Sequence, residues 1–547
     1  MAYASDLRAS HDYHYSKNQS RLIADVLSAE FSLSRGDTTN ALHTYTVLAL
    51  RHNLQPIKQR ALDLALEHND LQAALNMAIH WVVEEPQDVP ALFYLAHTAL
   101  LAHEYELAAE TLDKILRIDE NVDLERLLAG IFPENDEDRR YLLDTLSTTK
   151  QKNNPSLLVL LAGLDTQSGH YADALSKVNK ALRKRPHVTG FIIMKANLLL
   201  ALERIPDAKK WLDTATARYP NNLELLLFEV RFLILQNQPE TALSRLNNII
   251  KRWPQEEEAL FMAGLTSIDL KMHNEAERYL VQLRHSEKYQ NDAYYYLALN
   301  AESKQQFETA KAYYRLVDGN LYTVSRRSLV TIYLQQHEID DALRYLTQER
   351  VNHPHQASFL YQLQSEILVG MGQKQRALQL LAEAVKQLPE EPELIYAQVL
   401  LLDPHENRVQ LDELLDQLLA LEPNSPTYLN AYAYTLALQN RRLEDARRYA
   451  ERALEQAPDQ ASILDTLGYI AFLQNDFVVA SDILGKAYQL SPNVNIGMRY
   501  AKSLYVQGDF IRFNALVHEL MQKYPNHKEL SQLEMLILPQ EMHETSS

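Results

Sequence analysis

Residues 169–220 read GHYADALSKVNKALRKRPHVTGFIIMKANLLLALERIPDAKKWLDTATARYP. In this stretch Ala174 is followed twelve residues later by Pro186, and Ala208 is followed twelve residues later by Pro220. The two alanines are 34 residues apart. A small residue lets two helices pack at short distance, and a proline cannot continue a helix. The stretch therefore predicts two consecutive units of one helical repeat.

The alanine–proline spacing recurs along most of the chain. Further pairs are Ala74–Pro86, Ala242–Pro254, Ala342–Pro354, Ala377–Pro389, Ala446–Pro458 and Ala480–Pro492, and the same spacing separates Leu411–Pro423 and Phe513–Pro525. Ala276 and Ala310 keep the period but lack the proline. A period of 34 residues is typical of the tetratricopeptide repeat (TPR). We therefore predict an all-α fold, a TPR α-solenoid forming a right-handed superhelix of about 13–14 antiparallel helix pairs. A non-repetitive helical bundle would need this spacing to arise by accident.

Glycines occupy two fixed places relative to the anchor, the residue twelve before the proline. Five residues before the anchor, a glycine marks the predicted turn between the two helices of a repeat at Gly36, Gly169, Gly372 and Gly508. Twelve residues before the anchor stand Gly264 and Gly468. A missing side chain at this second place predicts that two helices touch there.

The repeats account for nearly the whole chain. The predicted organisation is a polar tether over 1–20, N-terminal repeats over 21–120, a degenerate helix pair over 121–154, a continuous array over 155–526, and a capping helix with a frayed tail over 527–547. No stretch of about 100 residues is left for a catalytic domain. We therefore expect a protein that is not an enzyme.

Composition and motifs narrow the function further. The chain has 547 residues, 54 basic against 72 acidic, and no cysteine. The net charge of −18 disfavours nucleic acid as a partner, and the absence of cysteine excludes thiol catalysis and cysteine-ligated metals. No phosphate-binding loop, nucleophile elbow or metalloprotease motif occurs. The histidine pairs His11/His14 and His353/His355 lack further ligands nearby. We expect no cofactor and no metal.

Tyrosine is the residue that suggests a binding surface, with 30 copies against 13 phenylalanines. In a TPR superhelix the first helix of each repeat lines the concave groove. Counting back from each anchor places on that groove Asp292, Tyr295, Asp465, Tyr469, Phe472 and Tyr505. Asn430 and Tyr434 join them if the extra residue of the Ala446 repeat lies in its inter-helix turn. Tyrosine is enriched at interfaces, and Asn or Asp can hydrogen-bond an extended peptide. Alternatively, these tyrosines are inter-repeat packing residues.

The segment Leu429–Pro492 resembles a known group of proteins. It contains LNAYAYTLA from Leu429, RLEDA from Arg442 and ILDTLGY from Ile463. This is similar to a pattern of long bacterial TPR proteins, typically outer-membrane lipoproteins of Gram-negative bacteria. The best understood are LbcA-type adaptors, which bind and activate a periplasmic carboxyl-terminal processing protease that degrades peptidoglycan cross-link hydrolases.

The resemblance implies a protease adaptor with two kinds of partner, the carboxyl-terminal processing protease and its peptidoglycan-hydrolase substrates. It also implies a periplasmic, outer-membrane-anchored location through a lipidated cysteine. This chain has no cysteine, so that anchor, its only expected membrane contact, would lie outside the sequence. A scaffold for exopolysaccharide secretion or another envelope assembly is the alternative. A cytoplasmic location also stays open. An enzyme such as a lytic transglycosylase would need a lysozyme-like domain after the repeats, for which no room remains.

Overall fold

The computed structural model describes residues 20–119, 122, 124 and 135–536. Every regular element within those residues is helical. The chain divides into two compact units, Met1–Tyr289 and Gln290–Ser547.

The first unit is built from helices joined by short turns. Within its described residues these are α1 (20–34), α2 (Thr38–Arg51), α3 (Gln55–Glu67), α4 (Leu71–Glu84), α5 (Val89–Leu101), α6 (Tyr105–Ile118), α7 (Asp136–Ser147), α8 (Pro155–Gln167), α9 (Tyr171–Lys184), α10 (Thr189–Ala201), α11 (Ile205–Arg218), α12 (Leu223–Leu235), α13 (Pro239–Arg252), α14 (Glu257–Asp269) and α15 (His273–Leu280). A short 3-10 helix, Val281–Leu283, follows α15.

The second unit continues the same alternation. Its helices are α16 (Gln290–Ser303), α17 (Phe307–Leu316), α18 (Tyr322–Gln335), α19 (Ile339–Asn352), α20 (Ala357–Gly370), α21 (Lys374–Gln387), α22 (Pro392–Leu401), α23 (Arg408–Leu421), α24 (Pro426–Leu438), α25 (Leu443–Gln456), α26 (Ala461–Leu473), α27 (Phe477–Leu490), α28 (Val494–Gln507), α29 (Phe510–Lys523) and α30 (Leu530–Glu534). The 3-10 helices Gly319–Leu321 and Pro354–Gln356 precede α18 and α20.

The described residues hold fourteen complete helix pairs, so the predicted TPR solenoid of 13–14 pairs is confirmed. Each anchor alanine lies in the second helix of its pair and is fully buried, as are Ala41 of α2 and Ala108 of α6, which occupy the same place without a following proline. The residues with 0% exposure are Ala41, Ala74, Ala108, Ala174, Ala208, Ala242, Ala276, Ala310, Ala342, Ala377, Ala446 and Ala480. The anchors Leu411 and Phe513 are equally enclosed. A methyl group at this position leaves room for the two helices of a pair to touch.

The turn inside most pairs has one conformation. A single residue, five before the anchor, adopts the left-handed region, as at Gly169 (φ 76°) and Asn69 (φ 57°). The next amide then bonds back to the end of the first helix, with Asp70 N 2.8 Å from Ala65 O. Because this geometry satisfies a free helix-end carbonyl, it is retained where the residue is not glycine. The turn position predicted from the glycines is thus confirmed.

The second glycine position is a point of helix contact. A Cβ built on Gly264 would lie 2.6 Å from Leu280 Cδ2, and one built on Gly468 would lie 2.6 Å from Leu484 Cγ. Both leucines belong to the second helix of the same pair and are fully buried. This confirms that glycine there permits close packing.

Two second helices are short where the terminal proline is missing. Helix α15 has eight residues and α17 has ten, against fourteen in most second helices. Beyond α17 the chain is held by Arg326 of α18, which donates from Nη1 to the carbonyls of Tyr314 (2.8 Å) and Val317 (2.9 Å). Its Nε donates to Glu349 Oε1 at 2.7 Å. A buried guanidinium therefore caps the shortened helix.

Three predicted segments fall partly or wholly outside the described residues. The tether over 1–20 lies outside them except for Ser20. Of the degenerate pair over 121–154, the structure describes Val122, Leu124, α7 and the turn that follows α7. Near the C-terminus, α30 is five residues long, and its Leu530 and Leu533 are buried against the last repeat. Residues 537–547 are not described.

Candidate functional site

All eight predicted groove residues are half-buried and lie on first helices of the second unit. Asp292 and Tyr295 are on α16, Asn430 and Tyr434 on α24, Asp465, Tyr469 and Phe472 on α26, and Tyr505 on α28. Partial exposure places each at the edge of the core, where a side chain can both pack and meet a ligand.

The extra residue of the Ala446 repeat lies in its inter-helix turn. Four residues, 439–442, connect α24 to α25, where most other pairs use three. Asn440 and Arg442 both adopt the left-handed region, with φ 48° at each. This is the condition under which Asn430 and Tyr434 were assigned to the groove face.

Three of the predicted residues meet around Arg499 of α28. Its Nη1 donates to Asp465 Oδ2, and its Nη2 donates to the Tyr434 hydroxyl at 2.8 Å. The guanidinium also lies 4.6 Å from the ring centroid of Tyr469 and 5.3 Å from that of Tyr434. Stacking and charge-assisted bonds together hold an arginine in one orientation. We call Tyr434, Asp465, Tyr469 and Arg499 the arginine cluster.

Two oxygen atoms beside this cluster lack a donor. Asp465 Oδ1 and Asn430 Oδ1 are buried and receive no hydrogen bond from any described residue. Burial raises the pKa of Asp465, and the charge and hydrogen bond of Arg499 oppose that rise. Buried polar atoms are normally bonded, so an unpartnered acceptor at a surface cleft indicates a place for an external donor.

The cluster opens into a polar cleft of about 510 Å³. Besides Tyr434, Asp465 and Arg499, its walls include Ser462, Asn493, Asn495, Lys502 and Glu529. Hydroxyl, amide and charged groups of both signs face the same space. Such a lining suits the mixed donors and acceptors of a polypeptide backbone more than an apolar small molecule.

Other predicted residues pack within their own repeats. Phe472 contacts the Phe477 ring (5.5 Å between centroids), and Tyr505 contacts the rings of Phe510 (5.7 Å) and Phe513 (5.2 Å). Tyr295 lies 5.9 Å from Tyr314 in a T-shaped arrangement. For these three the packing alternative describes the observed contacts, although the rings stay half-exposed. Asp292 lies half-buried in the first turn of α16.

Sequence reasoning missed Arg499, the centre of the cluster. The signal was present as a basic residue standing 34 positions after Asp465. One repeat length brings two residues to corresponding places on neighbouring first helices. Opposite charges at that spacing on the groove face therefore predict an ion pair.

The described residues contain neither a clustered set of metal ligands nor a helix that could span a membrane. Within the part of the chain that the structure describes, no group of three or more His, Asp or Glu side chains is arranged to hold a metal ion. His353 and His355 lie 5.9 Å apart between ring centroids, and His11 and His14 lie outside the described residues. Over the described ranges, no helix has the length and apolarity required for a membrane span.

Comparison with known proteins agrees with the repeat geometry. Family models of the tetratricopeptide repeat match residues 165–227 and 433–495. The protein is a tetratricopeptide-repeat protein. The second match contains Tyr434, Asp465 and Tyr469 of the arginine cluster. TPR repeats imply protein partners, and the chain is therefore a TPR scaffold.

One relative is similar along most of the chain. It is the TPR repeat-containing protein PA4667 of Pseudomonas aeruginosa, 25% identical over 473 residues, which cover 86% of this chain and 80% of the relative. Solved structures that are similar to this chain include the APC/C Cut9–Hcn1 hetero-tetramer. The TM-score is 0.36, the sequence identity is 14%, and the match covers 87% of this chain and 95% of that one. MamA of Desulfovibrio magneticus RS-1 matches with TM-score 0.28, 18% identity, and 31% and 97% coverage.

Proposed function

We propose that the protein is a non-catalytic adaptor that binds a carboxyl-terminal processing protease and recruits protein substrates, such as peptidoglycan endopeptidases, for degradation. The observation that carries the proposal is the arginine cluster with its two unpartnered acceptors. It lies on α24, α26 and α28, and its Tyr434, Asp465 and Tyr469 fall within the segment that resembles protease adaptors. The relative of similar length adds support for a TPR scaffold.

The cluster has the properties of a peptide-recognition surface. Asn430 Oδ1 and Asp465 Oδ1 are unpartnered acceptors on the first helices of neighbouring repeats, so each can accept a hydrogen bond from a backbone N–H group of an extended segment. The half-buried tyrosine rings of Tyr434 and Tyr469 offer contact area at little cost in rotamer entropy. Because Arg499 is already fixed by Asp465 and Tyr434, little further ordering is needed on binding.

An adaptor accelerates proteolysis without reacting groups of its own. Holding a protease and a substrate on one scaffold raises their effective mutual concentration to the order of millimolar for short tethers. We extend the proposal to the location implied by the family resemblance, the periplasmic face of the outer membrane, held by a lipid anchor outside this sequence. That location is supported by the resemblance alone.

The experiment mixes the purified protein with the carboxyl-terminal processing protease of the same organism. Light scattering behind a sizing column detects a complex, and loss of a purified cell-wall endopeptidase measures recruitment. R499A is the test variant, because it removes the centre of the cluster. R512A is the matched control, since Arg512 is exposed on α29 and forms its ion pair with Asp509 rather than with a residue of the arginine cluster.

We expect R499A to weaken the complex about tenfold or more, as truncation of a central interface arginine does, and R512A to change it less than about twofold. Hydrogen exchange on α26 and α28 confirms that R499A remains folded. Equal effects of the two variants would place the interface elsewhere. If no complex forms, the protease is rejected as a partner. The alternative function, a scaffold for exopolysaccharide secretion or another envelope assembly, would then be tested by cross-linking to a secretion porin or synthase.

A further inference from the structure

A second cleft lies in the first unit, among α11, α12 and α13. Its volume is about 630 Å³. Its walls include Asp213 and Thr216 from α11, Arg245, Asn248 and Ile249 from α13, and Lys251 and Arg252 at the end of α13. Glu229 of α12 contributes the only first-helix carboxylate among the lining residues. The cleft therefore lies between two second helices, with a first-helix residue beneath them.

Glu229 is buried with half of its hydrogen-bonding capacity unused. The residue is 3% exposed, and its Oε1 lies 3.2 Å from Arg245 Nη2. Its Oε2 is buried, and none of the residues described by the structure donates to it. Burial raises the pKa of Glu229, the Arg245 charge opposes the rise, and the nearby Asp213 carboxylate adds to it. A buried acceptor without a donor has lost its hydration without compensation, and a bound donor would supply the missing hydrogen bond.

Other repeats show what this position does when it only packs. Glu229 stands thirteen residues before its anchor, Ala242. The residue at the same place is a buried leucine in five other repeats: Leu95, Leu161, Leu297, Leu329 and Leu467. A leucine fills the space beneath the second helices and needs no partner. Packing therefore does not explain a carboxylate at this position.

Gln364 provides an internal comparison. It occupies the corresponding place before Ala377 and borders a cleft of about 770 Å³. Its Oε1 accepts from Arg350, and its Nε2 donates to Leu343 O (3.4 Å) and Thr347 Oγ1 (3.3 Å). The protein satisfies Gln364 by itself. At Glu229 one acceptor is left open.

We propose that the Glu229 cleft binds a lysine or arginine side chain of a partner polypeptide, whose cationic N–H group donates to Glu229 Oε2. The long apolar stem of such a side chain reaches a deep carboxylate while its backbone stays at the surface. Asp213 supplies a second negative charge to the same cleft. Lys251 and Arg252 are exposed at the cleft, where they can meet carbonyl or carboxylate groups flanking the basic residue. This site is independent of the arginine cluster.

The test uses the full chain and three capped peptides, acetyl-Gly-Gly-X-Gly-Gly-amide, in which X is arginine, citrulline or aspartate. Citrulline has nearly the shape of arginine without its charge. Saturation-transfer NMR and calorimetry measure binding at millimolar peptide, the range expected for one side chain in one cleft. The variants are E229Q, E229L, and E224Q as the matched control, since Glu224 is exposed in the first turn of the same helix.

We expect the arginine peptide to bind at least about tenfold more tightly than the citrulline peptide, and E229Q to remove that preference while E224Q keeps it. E229L restores the residue found in other repeats, so it should keep the circular dichroism spectrum of the wild type and lose binding. The proposal fails if the arginine peptide does not bind at about 10 mM. It also fails if citrulline or aspartate binds as well as arginine, or if E229Q binds like the wild type.

Discussion

Replacing Arg326 by methionine tests whether this buried arginine stabilises the end of the shortened helix α17. Arg326 is 1% exposed and donates to Glu349, which is 6% exposed. It also donates to the carbonyls of Tyr314 and Val317. Methionine keeps much of the side-chain length but removes every donor. The carboxylate and the two carbonyls then lose this donor inside one repeat junction, as do the Ser325 hydroxyl (3.0 Å) and the Arg315 carbonyl (3.4 Å).

The magnitude follows from the three shortest of these bonds, to Glu349, Tyr314 and Val317. Breaking a buried ion pair by removing one partner costs about 3–5 kcal/mol, because the other charge stays buried. Each carbonyl left without a donor adds about 1–3 kcal/mol, less whatever water replaces. Tyr322 still donates to Glu349 at 3.2 Å, which retains part of the solvation of the carboxylate. We expect R326M to lower the local unfolding free energy by at least about 4 kcal/mol.

Hydrogen exchange followed by mass spectrometry is the suitable assay, because repeat proteins open locally and one global unfolding energy is ill-defined. The amides of α17, α18 and α19 should lose protection, and those of the first unit should not. R327M is the matched control: Arg327 is the next residue, and its pair with Glu366 is half-exposed on both sides. Such surface pairs contribute about 0–1 kcal/mol.

The double variant R326M/E349M separates charge from bulk. It removes the stranded carboxylate, so it should be less destabilised than the sum of the two single variants by about 2 kcal/mol or more. The reasoning is refuted if R326M and R327M exchange alike, or if the two single effects simply add.

Three further predictions concern the turns, the helix contacts and the buried carboxylate. Gly508 has φ 88° and Gly370 is helical, and a Cβ built on either residue has no atom within 4 Å. Hydrogen exchange should therefore show that G508A lowers the local unfolding free energy by about 1–2 kcal/mol, because alanine is strained at this φ. G370A should raise it by about 0.5–1 kcal/mol, because alanine favours a helix. G468A would press a methyl group against Leu484, so hydrogen exchange on α26 and α27 should show a loss of about 1–3 kcal/mol in local stability. Unchanged protection of these two helices would contradict the packing. Burial raises the pKa of Glu229, so the folded state binds the carboxyl proton more tightly than the unfolded state does. Local stability should therefore fall as the pH rises from the ordinary pKa of a glutamate through the raised pKa of the folded state. Hydrogen exchange on α12, corrected for the pH dependence of the intrinsic exchange rate, should show this fall in local stability in the wild type and not in E229Q. The same pH dependence in both proteins would contradict the prediction.

The sequence predicted the candidate site only in part. Counting along a repeat shows which face of a helix a residue occupies, but it does not show in which direction the side chain points. The period assigned Tyr434, Asp465 and Tyr469 to first helices, where the structure shows them half-buried. It did not distinguish them from Phe472 and Tyr505, whose rings turn toward the second helix of their own pair. That distinction depends on rotamers and on neighbours remote in sequence.

The linear sequence by itself determined the repeat, its boundaries and its turns. Anchor alanines, terminal prolines and turn glycines act within one helix pair, so their effect is local and readable from spacing. The tertiary structure alone decided which polar groups are left open. Arg499 reaches Tyr434 across 65 residues, and Glu229 is unsatisfied only because three helices enclose it. Burial and partner distance are properties of packed neighbours, and these determine where the scaffold can bind.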